Sequence, residues 1–265
     1  MRQTLRIALE AARAGGQAIR DLYGRAILLG DKGGAGPVTE ADLAANACIQ
    51  EVLRREFPDD GWLSEESADH AERLNHARLW VIDPLDGTRE FITGVPEFVV
   101  SIGLAVDGVA VLGVLYNPIT EEMFAGIRGD GAWLNGASIH VSAQTDLVPS
   151  TFCVSRTEMR AGLLRGLEGQ FGMQPRGSIA YKCGLVAAGR SEGVFTYHPR
   201  HEWDLCAGVA IIEAAGGRMT DRQGRVYRFN QADPLSQPVV GTNGHLHDAL
   251  LAILTAQWPP QPGAF

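Results

Sequence analysis

The spacing of apolar residues predicts helices in the first part of the chain. Apolar side chains recur every three or four residues over residues 4–23, which predicts an amphipathic helix; they are Leu5, Ala8, Leu9, Ala12, Ile19 and Leu22. A glycine-rich loop is predicted at residues 31–37. A second helix is predicted over residues 39–57, because the pattern resumes there and Pro58 stops it.

Beyond residue 78 the apolar residues form short runs that are typical of strands. Residues 79–83 predict a buried strand, and two apolar runs on either side of Asp107-Gly108 predict a hairpin. Residues 121–136 predict another hairpin. The N-terminal half, residues 1–145, is therefore predicted to be α+β, with two helices followed by a mostly antiparallel sheet.

The pattern changes near residue 145, where strands and helices begin to alternate. Strands are predicted at 152–155, 193–197, 218–221 and 238–242, and helices at 161–171, 179–189, 204–217 and 247–254. This alternation predicts an α/β C-terminal half over residues 146–265. Its last residues, 259–265, are predicted to be a loose end.

Composition and charge exclude several classes of protein. The 265 residues are 45% hydrophobic, enough for a sizeable core, and the net charge of -8 argues against binding to a nucleic acid polymer or a membrane surface. No apolar run approaches the roughly 20 residues of a membrane span, and the N-terminus does not resemble a signal peptide. Four scattered cysteines without a C-x-x-C pair indicate reduced thiols with no metal role. The predicted location is cytoplasmic.

Acidic residues lie at the edges of the predicted elements, in four clusters: Asp42, Glu65 with Glu66, Asp83 with Asp86, and Asp204. Three of these clusters have an ordinary structural explanation. Thr39 and Asp42 fit a capping box, Glu65 and Glu66 fit a solvated turn, and Asp204 could cap a helix. Those explanations remain open at the sequence level.

The segment DPLDGT, residues 83–88, favours a functional role. Asp83 ends the buried strand, Pro84 is expected to end the strand pairing, and Asp86 then turns back to the same edge. Gly87 lets a ligand approach the backbone, and Thr88 is expected to begin a short helix whose free N–H groups suit a phosphate. Two adjacent carboxylates need a cation or a proton. Oxygen ligands without nearby His or Cys favour Mg²⁺ or Mn²⁺.

Haloacid-dehalogenase phosphatases provide a competing interpretation of the segment DPLDGT. They carry D-x-D-G-T after a buried strand, near the N-terminus, with the first Asp as nucleophile. Here the two acids are one residue further apart, proline follows the first, and the motif lies well inside the chain. These differences argue against that class.

The motifs EES, DPLDGT and WD, in this order, resemble those of the inositol monophosphatase superfamily of metal-dependent, lithium-sensitive phosphomonoesterases. The resemblance covers roughly residues 36–217. It implies a layered αβαβα sandwich of the inositol monophosphatase and fructose-1,6-bisphosphatase type. The segments DGTREF, VSRT, GSIAYK and EWD are further similar to the bacterial 3'(2'),5'-bisphosphate nucleotidase branch.

The chain departs from both branches. Thr157-Glu158 replace the Ser-His of the nucleotidase motif, and Lys182 lies one residue later after Gly-Ser. Inositol phosphatases are expected to have an acidic residue that contacts inositol seven positions before the WD aspartate. This position is Tyr197 here.

The resemblance implies a set of site residues. Two or three Mg²⁺ ions, or Mn²⁺, would be held by Glu65, Asp83, the carbonyl of Leu85, Asp86 and Asp204. The catalytic residues would be Glu65, Thr88 and Asp42, which orient or deprotonate a metal-activated water for direct attack on phosphorus. The substrate would contact Asp86, Gly87, Thr88, Ser178, Lys182 and Asp204.

The C-terminal half is expected to determine specificity. Its polar candidates are Arg156, Ser178, Lys182, His198, Arg200 and His201. A second phosphate would favour Ser178 with Lys182. As alternatives, Lys182 could be a helix residue that extends to water, and the two histidines could lie in an ordinary surface loop. Trp203 is expected to pack and fix Asp204.

Three functional hypotheses follow. The leading one is hydrolysis of a small phosphorylated metabolite, a 3'(2'),5'-bisphosphate nucleotide, and its alternative is an inositol or other polyol monophosphate. A catalytically silent scaffold that binds a partner is a different class, and such chains tend to lose a metal ligand, whereas no motif acid is missing here. The resemblance also allows a homodimer.

Overall fold

The computed structural model describes residues 1–25, 27–31 and 36–257. Within these ranges the chain forms seven α-helices: α1 (Arg2–Leu22), α2 (Glu40–Glu56), α3 (Thr88–Ile92), α4 (Arg156–Arg160), α5 (Ile179–Ala187), α6 (Glu202–Ala214) and α7 (His247–Gln257). None of these helices is both long and apolar enough to cross a membrane. Most of the glycine-rich loop predicted at 31–37, and the tail 259–265, lie outside the described residues.

The N-terminal part contains a short hairpin and a large sheet. The hairpin pairs β1 (Leu28–Asp31) with β2 (Pro37–Thr39). The large sheet has seven strands in sequence order: β3 (Gly61–Ser64), β4 (Arg78–Asp86), β5 (Val99–Val106), β6 (Val109–Asn117), β7 (Glu122–Ile127), β8 (Gly131–Leu134) and β9 (Ala137–Ile139). Only β3 and β4 pair in parallel, so the predicted antiparallel character is confirmed.

A second sheet follows in the C-terminal part, together with a two-stranded pair. The chain forms β10 (Thr151–Ser155), β11 (Gly172–Arg176), β12 (Gly193–Phe195), β13 (Arg200–His201), β14 (Arg218–Asp221), β15 (Leu235–Ser236) and β16 (Val239–Thr242). The second sheet has the order β11-β10-β12-β16-β14, and β13 pairs with β15. The large sheet thus ends before residue 140 and the second begins after residue 150, whereas the division into two halves at residue 145 stays a prediction.

The layers stack as the predicted αβαβα sandwich. Alternation along β4 shows why: Trp80 and Ile82 face the core with α1 and α2, whereas Leu79 and Val81 face the core with α5 and α6. A third apolar cluster joins the second sheet to α7, through Phe152, Phe195 and Leu250. Helices α5 and α6 therefore form the central layer between the two sheets.

Three glycines of the large sheet allow α6 to lie close to it. A Cβ at Gly103 would lie 2.6 Å from Sγ of Cys206, and a Cβ at Gly126 would lie 2.8 Å from Cα of Ile211. A Cβ at Gly113 would overlap the carbonyl group of Ala207. The three glycines belong to adjacent strands, β5, β6 and β7, and form a groove for the helix.

Several expectations about the elements are wrong. The helix predicted over 161–171 is replaced by α4 and a 3₁₀ turn at Arg165–Leu167, because Ser155 caps a helix that starts earlier and Gly162 takes a left-handed conformation. Strands β1, β2, β3, β9, β11, β13 and β15 were not predicted. Pro84 does not end β4, which continues to Asp86 through an irregularity between Asp83 and Asp86.

Candidate metal and phosphate site

The predicted metal and substrate residues line a cavity of about 230 Å³ between the two sheets, and Asp42 lies behind it, in contact with Thr88. Strand β4 and helix α3 contribute from the N-terminal part, and β11, α5, β13 and α6 contribute from the C-terminal part. The acidic lining residues are Glu65, Asp83, Asp86, Glu90 and Asp204, and the basic ones are Arg89, Arg156, Arg176, Lys182 and Arg200. The cavity therefore combines the two charge types that a metal-assisted reaction on an anion requires.

Asp83, Asp86 and Asp204 form the acidic centre of the cavity, and one carboxylate oxygen from each lies within 4.8 Å of the other two. The irregularity in β4 turns Asp83 and Asp86 to the same side. Burial raises the pKa of Asp83 well above its usual range, and the neighbouring charges of Glu65, Asp86 and Asp204 raise it further. The backbone N–H of Leu85 donates to Asp83 at 2.9 Å and opposes this rise only in part.

Asp86 is fixed by the loop that precedes α5. Ser178 Oγ donates to its carboxylate at 2.5 Å, and the backbone N–H of Ala180 donates to the same oxygen at 2.6 Å. Ser178 has φ +47°, which is costly for a residue with a side chain. Burial raises the pKa of Asp86, although these hydrogen bonds oppose the rise. The strained conformation thus accompanies a contact with a candidate metal ligand.

Asp204 lies in the first turn of α6, at the third helical position. Its Oδ2 accepts a hydrogen bond from the backbone N–H of His201 at 3.1 Å, so it closes a capping box instead of occupying the cap position itself. Burial raises the pKa of Asp204 well above its usual range, and the charge of Asp86 adds to the effect. The capping explanation and the metal-ligand hypothesis are therefore compatible.

Asp42 also combines a structural contact with one at the site. It accepts hydrogen bonds from the backbone N–H of Thr39 at 2.8 Å and from its hydroxyl at 2.6 Å, which confirms the capping box of α2. Its other oxygen lies 3.0 Å from the hydroxyl of Thr88, which is also 3.2 Å from the carbonyl of Leu85. The buried Asp42 thus joins the start of α2 to the residue that begins α3.

Gly87 and Thr88 form the turn between β4 and α3. Gly87 has φ +106°, and a Cβ there would lie 2.9 Å from Cβ of Phe98 and 3.0 Å from the carbonyl oxygen of Glu97. Only glycine fits this turn without displacement. Thr88 is the first residue of α3, as predicted.

Glu65 lines the cavity but is not part of the group of three carboxylates. It follows β3 in a turn, and its backbone N–H donates to the carbonyl of Ile82 on β4 at 3.1 Å. Its charge contributes to the raised pKa values of Asp83 and Asp204. Glu66 is half-buried in the same turn and does not line the cavity.

Glu97 and Arg176 are site-forming residues that the sequence analysis missed. Glu97 is ion-paired with Arg156 and with Arg176, the latter at 2.7 Å, and accepts from the N–H of Gly177 at 2.8 Å. Burial raises the pKa of Glu97, but these three contacts outweigh it, and the net effect lowers the pKa. The arginine immediately before Gly177-Ser178 was the available signal in the sequence.

The basic residues Lys182 and Arg200 differ from Arg156 and Arg176, which form ion pairs with Glu90 and Glu97. Lys182 is only 3% exposed, so it does not extend to water, and its Nζ donates to the carbonyl of Arg176 at 3.3 Å. Arg200 is half-buried, and its Nε has no hydrogen-bond partner. In the described ranges, neither side chain forms an ion pair with a carboxylate.

The other specificity candidates lie at the margin or outside the cavity. His198 is exposed, and neither it nor His201 lines the cavity. The ring of His201 stacks on Trp203 at 4.4 Å, beside Asp204. Tyr197 is buried in the third apolar cluster, and its backbone N–H donates to Glu158 at 3.0 Å.

The donor set suits a hard divalent cation. Three buried or half-buried carboxylates converge, and burial raises their pKa values. In the described part of the chain no His or Cys lines the cavity. Magnesium and manganese prefer oxygen ligands of this kind. Such an ion would relieve the repulsion among the three acids.

The chain is similar to known proteins over nearly its whole length. The sequence profile of the inositol monophosphatase family matches residues 1–258. An inositol-1-monophosphatase from Synechocystis is 35% identical, over 98% of this chain and 92% of the relative. A histidinol-phosphatase from Chlorobaculum parvum is 36% identical, over 85% of this chain and 88% of the relative.

Solved structures show the same layered architecture. The inositol monophosphatase from Anabaena has a TM-score of 0.82 and 32% identity, with 99% of both chains covered. CysQ from Bacteroides thetaiotaomicron, a bacterial member of the inositol monophosphatase family, has a TM-score of 0.74 and 27% identity, over 91% of this chain and 97% of that one. The named inositol monophosphatases are thus more similar to this chain than this CysQ is.

Proposed function

Since the chain belongs to the inositol monophosphatase family, whose members are metal-dependent phosphatases, we propose that its cavity hydrolyses small phosphate monoesters with the help of divalent cations. The observation that carries the proposal is the group of Asp83, Asp86 and Asp204 within 4.8 Å, beside a basic lining. Glu65 and the carbonyl of Leu85 complete the proposed ligand set. The proposal includes two or three Mg²⁺ ions, with Mn²⁺ as a substitute, and inhibition by lithium.

Bound Mg²⁺ would supply the positive charge that activates a water molecule and stabilises the leaving oxygen. The protein would orient that water through Thr88. When the Thr88 hydroxyl donates to Asp42, its oxygen retains lone pairs that can accept a hydrogen bond from water. Glu65, which lines the same cavity, would accept the proton.

The scissile phosphate would bind where β4 meets α3. The backbone N–H groups of Gly87 and Thr88 are the proposed donors, and the missing Cβ of Gly87 lets the phosphate approach them. Asp86 and Asp204 would face the leaving-group side. The water would then attack phosphorus from the side of Glu65 and Thr88, in line with the leaving oxygen on the opposite side.

For the substrate we favour a 3'(2'),5'-bisphosphate nucleotide. Lys182 supplies a buried cation beside the acidic centre, which suits a second phosphate. Ser178, whose hydroxyl proton is donated to Asp86, would hold that acid in place next to the substrate. Position 197, where the family resemblance leads us to expect an acid that contacts inositol, holds a buried tyrosine. The chain therefore lacks that carboxylate for binding polyol hydroxyls.

A polyol or other monophosphate is the second candidate, and the names of the relatives favour it. Relatives called inositol-1-monophosphatase and histidinol-phosphatase are 35% and 36% identical to this chain. Because these names differ at nearly equal identity, overall similarity does not select between the two substrates. The choice depends on the groups that contact the non-reacting part of the substrate.

A substrate panel tests the proposal. Phosphate release in the presence of Mg²⁺ would be measured for adenosine 3',5'-bisphosphate, inositol 1-phosphate, fructose 1,6-bisphosphate and histidinol phosphate. We expect the highest kcat/KM for the nucleotide and loss of at least about 10²-fold in Asp83→Asn. A much higher kcat/KM for inositol 1-phosphate would refute the nucleotide preference, and Mg²⁺-independent release would refute the mechanism.

A further inference from the structure

Two buried or half-buried cationic side chains at the cavity have no carboxylate partner among the residues that the structure describes. Glu97 pairs with Arg156 and Arg176, Glu90 also pairs with Arg156, and Arg89 is exposed to solvent. Lys182 and Arg200 remain, and within the described residues neither of them forms an ion pair. Burying a charge without a partner is costly, so this arrangement indicates that a ligand supplies the counter-charge.

The positive charges of Lys182 and Arg200 also repel one another. After burial itself, the charge of Arg200 is the strongest influence that lowers the pKa of Lys182. Two cations close enough to repel each other are destabilising unless an anion lies between or beside them. Each is presented by a separate element, Lys182 by α5 and Arg200 by β13, and both line the same cavity.

The Nε of Arg200 provides an independent observation. It is shielded from solvent, yet it has no acceptor. Buried N–H groups are nearly always paired, and an exception at the wall of a cavity indicates that a bound molecule provides the acceptor. Because a guanidinium presents several N–H groups in one plane, phosphate or carboxylate oxygens suit it best.

The acidic centre does not remove this requirement for an anion. Asp86 and Asp204 are the carboxylates whose charges act on Arg200, and both belong to the proposed metal-ligand set. Asp86 is further occupied by Ser178 and Ala180, and Asp204 by the N–H of His201. With cations bound to these acids, Lys182 would keep the charge of Glu158 nearby, which acts on it more weakly than that of Asp86.

We propose that Arg200, together with Lys182, forms a subsite for a second anionic group of the substrate, and that Arg200 determines the preference for bis-anionic over mono-anionic phosphate esters. This inference rests on the proposed phosphatase function and specifies its substrate class. A substrate with a second phosphate would place it against Lys182 and Arg200 while the first lies at the acidic centre. Monophosphates would bind without occupying the subsite.

A matched pair of substrates tests the subsite directly. Adenosine 3',5'-bisphosphate and adenosine 3'-phosphate share the 3'-phosphate and differ only in the second phosphate. We expect wild-type kcat/KM to be at least 10-fold higher for the bisphosphate. Arg200→Gln should reduce kcat/KM for the bisphosphate by about 10- to 100-fold, mainly through KM, and change that of the monophosphate less than about threefold.

Two further variants complete the design. Arg200→Lys keeps the charge but loses the planar donors, and it should recover part of the preference. Arg218→Gln is the matched control, because Arg218 pairs with the exposed Asp248 away from the cavity, and it should leave both substrates unchanged. Equal losses for both substrates in Arg200→Gln would overturn the proposal, since Arg200 would then serve the scissile phosphate or the fold.

A second pair and a binding measurement separate this proposal from the function itself. Inositol 1,4-bisphosphate and inositol 1-phosphate repeat the comparison on a polyol, and the subsite predicts the same preference for the bisphosphate. Calorimetry with adenosine 3',5'-bisphosphate and Ca²⁺ in place of Mg²⁺ should show at least 10-fold weaker binding to Arg200→Gln. If the protein hydrolyses phosphate esters but does not prefer bisphosphates over monophosphates, the subsite is refuted and the phosphatase function stands. If it binds the bisphosphate through Arg200 but hydrolyses nothing, the phosphatase function is refuted and the subsite stands.

Discussion

At the scale of single residues, two acids of the site each combine a helix-capping contact with a contact at the site. Asp42 caps α2 and contacts Thr88, and Asp204 closes the capping box of α6 and faces the acidic centre. The two tasks use different oxygens of Asp42, so one side chain can satisfy both. A structural explanation for an acid therefore does not argue against a role in catalysis.

Asp42→Asn tests whether the second task matters. The amide would place a donor against either the N–H of Thr39 or the hydroxyl of Thr88, since each now faces a carboxylate oxygen. We expect kcat to fall by at least 10-fold, and the free energy of unfolding to fall by about 1 kcal/mol. Phosphate-release kinetics and urea denaturation would measure the two effects.

Glu51→Gln, an exposed position on the same helix, serves as the control and should change neither quantity. If Asp42→Asn lowered stability but left kcat unchanged, Asp42 would be a helix cap alone.

At the scale of elements, the sequence predicts what local periodicity determines. The helices α1, α2, α5, α6 and α7 and the strands β4 to β8 were predicted from apolar spacing. The motif DPLDGT also located Asp83 and Asp86 correctly at the end of β4. These features depend on residues close together in the chain.

Elements that depend on distant partners were missed. Strand β3 has only four residues and exists because β4 pairs beside it, and β13 and β15 have two residues each and stabilise one another. The continuation of β4 past Pro84 depends on pairing of Asp86 with Val99 of β5. Glu97 was missed for the same reason, since its arginine partners are 59 and 79 residues away.

Glu97 joins the loop after α3 to the loop before α5, and Glu97→Gln tests that connection. The lowered pKa of Glu97 keeps its carboxylate charged at neutral pH, so the substitution removes the counter-charge of Arg176 and one of the two carboxylate partners of Arg156. The loop that presents Ser178 to Asp86 should loosen. We expect kcat/KM to fall by about 10-fold and the free energy of unfolding by about 1–3 kcal/mol.

Steady-state kinetics and urea denaturation check this expectation. Glu168→Gln, which replaces an exposed acid of the C-terminal part, is the control. A loss of stability with unaltered kcat/KM would mean that the Glu97 contacts do not influence the site.

At the scale of the whole molecule, the proposed metal ligands come from two different layers of the sandwich. Asp83 and Asp86 belong to β4 of the large sheet, whereas Asp204 belongs to α6 of the central layer. A cation bound by all three would link these layers. It would also relieve the repulsion that, after burial, raises the pKa values of Asp83 and Asp204.

Metal should therefore stabilise the fold. At a Mg²⁺ concentration 100 times the dissociation constant, binding to the folded state adds about 2.7 kcal/mol. We expect Tm to rise with Mg²⁺ and to fall when EDTA is added, as measured by differential scanning fluorimetry. Asp83→Asn should abolish the Mg²⁺-dependent shift, and a shift that persists in this variant would place the stabilising ion elsewhere.

The groove that three glycines form under α6 makes the site sensitive to substitutions far from any ligand. Gly103, Gly113 and Gly126 set the depth of α6, and α6 carries Asp204 at its start. A methyl group added at Gly113 would lift the helix and with it one of the three carboxylates. Harmful substitutions in this protein should thus include conservative ones on buried strands that never touch a ligand, so the absence of a side chain there is as much a part of the reaction geometry as the presence of an acid.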